Sequence, residues 1–291
     1  MSGLRSFLFV PADSEKKLAK GLESGADALI LDLEDAVAEA NKPAARATAA
    51  AFLKTHAQPR APQLWVRINP LTTPFADDDL AAIVHAAPDG IALPKPDSAK
   101  DLIELDRRLT ALEATHGLAP GGIKVLPIAT ETPASVFNLG TYAGASPRLA
   151  ALTWGAEDLP AAIGATVSRW EDGSYTDLCR IVRSLCIAGA AAADVPSIET
   201  VYPAFKDEDG LRRYAANGRA EGFSGMMAIH PAQVPIINEV FSPSEAELAQ
   251  AQRVVDLFAA NPTAGTLALD GKMLDMPHLK LARRVLESVK R

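Results

Sequence analysis

The sequence is poor in cysteine and histidine, and it has no long apolar run. Only two cysteines occur among its 291 residues, Cys179 and Cys186. Since they lie on one face of a predicted helix, we expect no disulfide between them. The five histidines show no paired spacing, which argues against a zinc site. With no signal peptide and no span long enough for a membrane, the sequence predicts a cytoplasmic protein that does not contact membranes.

Positive charge is also scarce. The chain has 29 Lys and Arg against 36 Asp and Glu, a formal net charge of −7. This balance argues against a broad nucleic-acid-binding surface, and an anionic ligand would need a local cationic patch. No G-x-S-x-G motif is present, which argues against a serine hydrolase of that type.

What the sequence does contain is a regular alternation of apolar strand-like runs with helix-like segments. Helix starts are indicated by Ser14, by Ser98 and by Thr132 followed by Pro133. The eight predicted strands span residues 7–10, 28–32, 64–68, 90–93, 124–129, 149–153, 198–201 and 225–229. Eight such units predict an α/β fold, the (β/α)8 TIM barrel. The alternative, a doubly wound open sheet, usually has a glycine-rich turn after its first strand, and none is present here.

The last fifty residues exceed what the barrel needs. We therefore expect residues 1–241 to form the barrel and residues 242–291 to form a C-terminal helical lid or arm. The pattern predicts a helix over 243–260, a loop over 261–271 and a short helix over 276–291. Apolar residues such as Leu269, Met273 and Leu279 indicate that this segment docks onto the chain or a neighbouring subunit, with an inert tail as the alternative.

Charged residues follow several of the predicted strands. Asp32, Glu34 and Asp35 end the second strand, and Arg67 lies in the third. The carboxyl ends of the strands are the active-site face of such a barrel. Burying the Arg67 guanidinium without a partner would cost free energy, and its geometry is suited to binding a carboxylate or phosphate. An ion pair with Glu34 or Asp35 is an equally supported interpretation, and both can hold.

Two further acids follow the fifth and sixth strands, Glu131 and Asp158. Because these strands are neighbours, we expect both carboxylates at one mouth, where they suit Mg²⁺. The alternative is that both simply favour helix N-termini. Considered together with Arg67, the metal site is the preferred interpretation. Lys95 adds a cation after the fourth strand, whereas Lys16, Lys17 and Lys20 on the first helix are by themselves typical of a solvated face.

Several segments, in order along nearly the whole chain, match one known family. The shorter ones lie at 131–132, 200–202, 222–225 and 229–231. The longer ones are Arg5-Ser-Phe-Leu-Phe-Val-Pro11, Leu31-Asp-Leu-Glu-Asp-Ala-Val37, Val66-Arg-Ile-Asn69, Leu93-Pro-Lys95, Gly155-Ala-Glu-Asp158 and Gly271-Lys-Met-Leu-Asp-Met-Pro277. In these segments the chain resembles the citrate lyase beta-subunit-like family, CoA-ester lyases of the HpcH/HpaI aldolase group.

The resemblance implies a (β/α)8 barrel that assembles as a homotrimer or hexamer. It implies an Mg²⁺-dependent lyase that cleaves citryl-, malyl- or citramalyl-CoA to acetyl-CoA and a 2-oxoacid. Glu131 and Asp158 match the family's metal ligands, and Arg67 matches a substrate-binding arginine. Asp275 matches a catalytic acid on the lid that reaches a neighbouring subunit's site.

The resemblance also implies the residues that contact the CoA portion of the substrate. The matching positions are Phe9, Lys16, Lys20, Ile229 and His230. With this implication, the lysines of the first helix are expected to meet an anionic CoA phosphate.

The match departs from the family at two places. Many relatives carry Lys where this chain has Met226, so a charged contact near the eighth strand is expected to be missing. The spacing from Pro127 to Glu131 is one residue longer than in some relatives, which leaves the phase of the fifth strand open.

Three alternatives to the lyase remain open. They are a thioesterase on the same site, an aldolase acting on free 2-oxoacids, and a non-catalytic subunit of a larger lyase complex. The first shares every residue named above. The second would not need the CoA-contacting residues, and the third would not need intact metal ligands.

Overall fold

The computed structural model describes residues 3–59 and 61–289. Eight strands form one sheet in which all neighbours run parallel. In chain order they are β1 Ser6–Pro11, β2 Ala28–Asp32, β3 Gln63–Arg67, β4 Gly90–Leu93, β5 Lys124–Pro127, β6 Leu152–Thr153, β7 Ser197–Glu199 and β8 Gly225–Ala228. Each of the eight predicted strands is present, and most shifts at their ends are of one or two residues.

The sheet closes on itself. Its order is β5-β4-β3-β2-β1-β8-β7-β6, which leaves β5 and β6 at the two edges. Parallel bridges join Val125 to Leu149 and Ile128 to Thr153, and so connect these edges. The (β/α)8 barrel is therefore confirmed, and the open sheet is excluded. The fifth strand also has a defined phase, since β5 ends at Pro127 and Glu131 follows it in the loop.

Helices follow the strands and cover the outside of the barrel. They are α1 Glu15–Leu22, α2 Lys42–Thr55, α3 Phe75–Ile83, α4 Ala99–His116, α5 Pro133–Val136, α6 Asp158–Ala162, α7 Asp177–Ala192, α8 Glu208–Glu221, α9 Gln233–Val240, α10 Glu245–Ala260 and α11 Met276–Glu287. The predicted caps are confirmed. Ser14 accepts a hydrogen bond from the backbone of Lys17, Ser98 forms a capping box with Asp101, and Thr132 caps α5.

Apolar side chains form two layers, because successive residues of a strand point to opposite faces. One cluster fills the barrel interior and includes Ile30 and Met227. A larger cluster lies between strands and helices and includes Leu29, Leu31 and Met226. Met226 is fully buried there, on the opposite face of β8 from the interior. The charged contact expected to be missing at Met226 would therefore lie between strands and helices rather than in the barrel interior, and its loss stays a prediction.

The segment after the barrel helices forms a compact unit. α10 and α11 pack through a cluster of their own, made by Ala251, Val254, Phe258, Leu274, Leu279 and Ala282. The predicted loop over 261–271 is wrong in part, because Thr266–Leu269 (β9) pairs antiparallel with Lys272–Asp275 (β10). Asp270 and Gly271 join them with φ of 51° and 75°, as a two-residue type I′ turn requires.

Cys179 and Cys186 are both buried on α7 and both free, as predicted. Across residues 3–59 and 61–289, none of the helices combines the length and the apolar character that a membrane crossing needs.

Candidate functional site

A cavity of about 360 Å³ opens at the carboxyl ends of the barrel strands. Its wall includes Asp32 and Arg67, the last residues of β2 and β3, and Thr153, the last residue of β6. Glu131 lines the same cavity from the loop after β5, and Asp158 lines it as the first residue of α6. The charged strand ends that the sequence singled out therefore converge in space.

Arg67 is held by two carboxylates, those of Asp32 at the end of β2 and of Glu34 in the loop that follows. Its Nε and Nη2 donate to Asp32 at 2.8 and 2.5 Å, and its Nη1 lies 2.8 Å from Glu34 Oε2. The guanidinium carbon lies 4.8 Å from the centre of the Phe9 ring. Burial opposes the charge on Arg67, but the hydrogen bond and charge of Asp32 outweigh it and raise the pKa. Of the two ion-pair partners predicted for Arg67, Glu34 or Asp35, the structure confirms Glu34, whereas Asp35 pairs with Lys95 at 3.1 Å.

Lys42, at the start of α2, fixes the loop that carries these acids. Its buried ammonium donates to the carbonyls of Leu33 and Glu34, at 2.8 and 3.0 Å, and to Asn69 Oδ1 at 2.8 Å. Asp32 accepts from the backbone N–H of Glu34 at 2.9 Å. Sequence reasoning missed Lys42, because a lysine in a helix's first turn carries no local sign that it is buried.

Glu131 is almost fully buried and accepts one hydrogen bond, 2.7 Å long, from the backbone N–H of Lys95. Burial is the main reason that its pKa is raised well above the ordinary value, and the charges of Asp158 and Glu34 add to the effect. Gly155 lies directly against it, since a Cβ there would come within 2.7 Å of Glu131 Cγ. Sequence reasoning did not assign this role to the glycine.

Lys95 lies among the acids of the mouth. Its φ of 50° is unusual for a residue with a Cβ, and in this conformation its N–H reaches Glu131. Its ammonium is 3.2 Å from Asp158 Oδ1 and also hydrogen-bonds to Glu34. Burial acts against the charge, but the bond to Glu34 and that carboxylate's charge dominate and raise the pKa of Lys95.

The donor set of the mouth fits Mg²⁺. Glu131 and Asp158 both face the cavity, and their mutual repulsion is a cost that a divalent cation would relieve. No trio of His, Cys, Asp and Glu side chains is close enough to hold a metal within the described part of the chain. Mg²⁺ does not need one, because it commonly takes one or two protein carboxylates and completes its octahedron with water or substrate oxygens.

A buried network lies behind one wall of the cavity. Glu199, fully buried, accepts hydrogen bonds from Trp154 Nε1 at 2.6 Å, Tyr214 OH at 2.7 Å and Arg183 Nε at 2.8 Å. It also accepts from the backbone N–H of Thr200 at 2.9 Å. Trp154 and Thr200 line the cavity, so Glu199 holds that wall in place. Sequence reasoning missed this network, although an acid within a predicted buried strand was a usable signal.

The remaining predicted site residues divide into two groups. Phe9 and Ile229 line the cavity together with Arg67, Glu131 and Asp158. The others do not line it: Lys16, Lys20, His230 and Asp275. The lysines are exposed on α1, and His230 stacks on Phe205 with 4.9 Å between ring centres. Asp275 is the last residue of β10 and directly precedes α11; 39% of its side chain is exposed, and its Oδ1 lies 2.5 Å from His278 Nδ1.

Comparisons with known proteins agree on one family. The family model described as HpcH/HpaI aldolase/citrate lyase matches residues 5–231. A citrate lyase subunit beta-like protein of Mycobacterium tuberculosis is 37% identical over 280 residues, covering 96% of this chain and 93% of the relative. A (3S)-malyl-CoA thioesterase of Cereibacter sphaeroides is 36% identical over 286 residues, with coverages of 97% and 93%. The crystal structure of M. tuberculosis CitE with magnesium, acetoacetate and coenzyme A superposes with a TM-score of 0.79 at 34% identity, covering 100% and 99% of the two chains.

Proposed function

Because the chain belongs to the HpcH/HpaI aldolase/citrate lyase family, we propose that it is an Mg²⁺-dependent lyase acting on 3-hydroxyacyl-CoA thioesters of the citryl-, malyl- or citramalyl-CoA type. It would break one C–C bond and release acetyl-CoA and a 2-oxoacid. The observation that carries the proposal is the convergence of Glu131, Asp158 and Arg67 on one cavity. The magnesium and coenzyme A in the related CitE structure support it.

Glu131 and Asp158 are the groups that would hold the metal. Bound Mg²⁺ would act as a Lewis acid that stabilises negative charge on the substrate's oxygens. Arg67, fixed by Asp32 and Glu34, would orient the carboxylate of the oxoacid half. Its pairing supports this role, because a guanidinium held by two carboxylates needs little reorganisation when substrate arrives.

Asp275 would act from a neighbouring copy. In the cleavage direction the substrate hydroxyl loses its proton to solvent and becomes a carbonyl as the C–C bond breaks. The bonding electrons stay on the α-carbon as the enolate of acetyl-CoA, which Asp275 would protonate. Asp275 does not line the cavity of its own chain, and its neighbours Met273 and Met276 are 70% and 46% exposed. These exposed apolar residues support an assembly in which the 242–291 arm covers an adjacent barrel, in a trimer or hexamer.

The CoA portion would leave the cavity past the first strand and helix. Phe9 and Ile229 lie at the cavity wall, and Lys16 and Lys20 are exposed on α1. Exposed ammonium groups are suited to the CoA phosphates, with His230 as a further contact.

A thioesterase is the second candidate, favoured by the similarity to the (3S)-malyl-CoA thioesterase. The two activities differ in their products. A lyase forms acetyl-CoA and oxoacid in equal amounts, whereas a thioesterase releases free CoA thiol and leaves the hydroxyacid intact. We expect equimolar acetyl-CoA and oxoacid with Mg²⁺, and none with EDTA.

The metal assignment is tested by Asp158→Ala, with Asp177→Ala as a matched control. Both acids are first residues of a helix, but Asp177 lies on the surface of α7. If Asp158 holds the metal, only its variant loses Mg²⁺ binding in calorimetry together with turnover. Equal effects would show that both acids act merely as favourable helix N-terminal charges. If the wild-type protein binds Mg²⁺ but turns over no CoA thioester, an aldolase acting on free oxoacids or a non-catalytic subunit would be favoured instead.

The role of Asp275 is tested by mixing two inactive variants. Asp158→Ala and Asp275→Asn protomers, unfolded and refolded together, would form mixed assemblies in which some sites have both residues. Recovery of activity in the mixture shows that Asp275 acts on a neighbouring copy. No recovery, with mixed assemblies verified by mass spectrometry, would contradict that assignment.

A further inference from the structure

The C-terminal arm brings two titratable side chains into close contact. Asp275 ends β10, and His278 lies in the first turn of α11. His278 Nδ1 is 2.5 Å from Asp275 Oδ1, and the backbone N–H of Asp275 donates to the same nitrogen at 3.2 Å. Both side chains are partly exposed. The pair can therefore exchange protons with water while its two members stay in contact.

One proton lies between these side chains. A carboxylate oxygen and an unprotonated Nδ1 are both acceptors, so they would repel each other at 2.5 Å. With a proton present, the pair is either a carboxyl that donates to imidazole or a carboxylate that accepts from imidazolium. Aspartate carboxyls are ordinarily ionised near neutral pH, whereas imidazole takes up a proton close to it. The pair can thus hold a proton that a solitary aspartate would lose.

A helix cap by itself does not require these two groups. The capping boxes of α4 and α10 pair a serine with an acid, Ser98 with Asp101 and Ser244 with Glu247. The box of α11 pairs an acid with a base instead. Capping at this position needs only an acceptor for the backbone N–H. The imidazole therefore adds a place for a proton, which the cap does not use.

Apolar residues anchor the backbone that carries the pair. Leu274 and Leu279, on either side of it in the chain, are buried in the cluster between α10 and α11. Met273 and Met276, by contrast, are exposed next to Asp275. The pair is thus fixed at its backbone, while its side chains stay accessible to a neighbouring copy.

We propose that His278 is a positioning residue, which orients Asp275 and supplies the proton that Asp275 delivers to the enolate of acetyl-CoA. The inference rests on the proposed lyase function and on the role proposed there for Asp275. The proton held between Nδ1 and Oδ1 moves onto the carboxyl and then to the α-carbon, where the enolate's electron pair forms the new C–H bond. Neutral imidazole and carboxylate remain, and water restores their proton. In the condensation direction the proton moves the opposite way.

His278→Asn tests the proton supply, because the asparagine amide keeps a polar group near the position of Nδ1 but does not take up a proton. We expect kcat for cleavage of the CoA thioester to fall roughly 100-fold, with KM little changed. His116→Asn is the matched control and should change neither constant, because His116 ends α4 and packs on His85. A wild-type kcat in His278→Asn would overturn the proposal. A higher KM with unchanged kcat would also overturn it, since that result indicates a role in binding alone.

Mixed assemblies show whether His278 acts through Asp275. Both residues belong to the arm, so each arm variant, refolded with Asp158→Ala, should recover activity at sites that combine an intact arm with an intact metal site. His278→Asn and Asp275→Asn refolded together should not recover, because every arm then lacks one member of the pair. Recovery in that last mixture would show that the two residues serve different sites, contrary to the proposal.

The same variants separate this inference from the lyase itself. If the wild-type protein cleaves no CoA thioester, the lyase proposal fails and the role of His278 fails with it. If the wild-type protein is active and Asp275→Asn is not, while His278→Asn keeps the wild-type kcat, only the role of His278 fails. Equal Tm values for His278→Asn and the wild-type protein would show that a loss of kcat does not come from unfolding.

Discussion

Replacing Glu131 by glutamine should have opposite effects on the metal-free and metal-bound protein. The carboxyl is buried, accepts one hydrogen bond from the Lys95 N–H, and has its pKa raised by burial and by Asp158 and Glu34. The glutamine carbonyl oxygen retains the acceptor and the shape of the side chain. The substitution therefore removes mainly the charge and the proposed metal-binding oxygen.

The magnitude follows from the cost of ionising a buried carboxyl. An ionised carboxyl that is buried with a single neutral hydrogen bond costs roughly 1–3 kcal/mol for the hydrogen bonds it cannot make. We expect Glu131→Gln to stabilise the metal-free protein by about 1–2 kcal/mol at high pH, or roughly 2–8 °C in Tm. The pKa of the Glu131 carboxyl is higher in the folded protein than in the unfolded chain. Its contribution to the stability of the fold is therefore fully present below the unfolded-state pKa, and it is lost as the pH rises through the folded-state pKa. The advantage of the variant should therefore grow with pH.

Mg²⁺ should make the wild-type protein more stable than the Glu131→Gln variant. At an Mg²⁺ concentration about 100-fold above Kd, the wild-type protein gains ~2.7 kcal/mol, because the cation binds only the folded state. The variant lacks a proposed ligand oxygen and should gain little. The assay is thermal unfolding between pH 5 and pH 9, with Mg²⁺ and with EDTA, for both proteins.

Glu113→Gln is the matched control, because the same substitution should have the opposite sign there. Glu113 is fully buried but paired with Arg148 at 2.6 Å, and it accepts from the backbone N–H of Gly121 and Ile123. Its pKa is lowered by these partners against the effect of burial. Removing its charge leaves Arg148 underpaired and should cost about 2–4 kcal/mol with or without Mg²⁺. Destabilisation of metal-free Glu131→Gln at high pH would refute the reasoning.

Three further substitutions test the geometry of the mouth. Gly155→Ala should displace Glu131 and weaken Mg²⁺ binding by roughly 10-fold in calorimetry. Gly140→Ala is the control and should leave binding unchanged, because an added Cβ there meets nothing within 4 Å. Equal Mg²⁺ affinities of the two variants would contradict the close packing of Gly155 on Glu131. Lys95→Met should strengthen Mg²⁺ binding, because an ammonium 3.2 Å from Asp158 no longer competes with the cation; weaker binding would show that Lys95 organises the site instead. Arg67→Lys should lower kcat/KM by roughly 100-fold, because lysine cannot reproduce the bidentate geometry of the guanidinium. Arg46→Lys is the control and should leave kcat/KM unchanged, because Arg46 lies away from the cavity. A similar loss in both variants would indicate a general structural effect.

The C-terminal hairpin shows a signal that was present in the sequence and overlooked. The Asp270-Gly271 pair is a typical turn for two short strands. The strands themselves are four residues each, and their burial pattern is largely exposed, so the apolar alternation was weak. The turn residues were more informative than the strand residues in this segment.

The sequence by itself determined the order and type of the barrel elements. Apolar runs, caps such as Ser98 and Thr132, and the regular alternation are local properties, so they survive without tertiary information. Chain order also placed Glu131 and Asp158 at neighbouring strand ends, because successive strands of such a barrel are adjacent.

Only the tertiary structure decided which charges pair, and which of two adjacent side chains reaches the cavity. Arg67 pairs with Asp32 and Glu34 rather than with Asp35, because the buried ammonium of Lys42 fixes the loop beside it. Met227 rather than Met226 faces the cavity because strand register assigns alternate side chains to opposite layers. Pairing and register depend on contacts between distant segments, which no local pattern in the chain encodes.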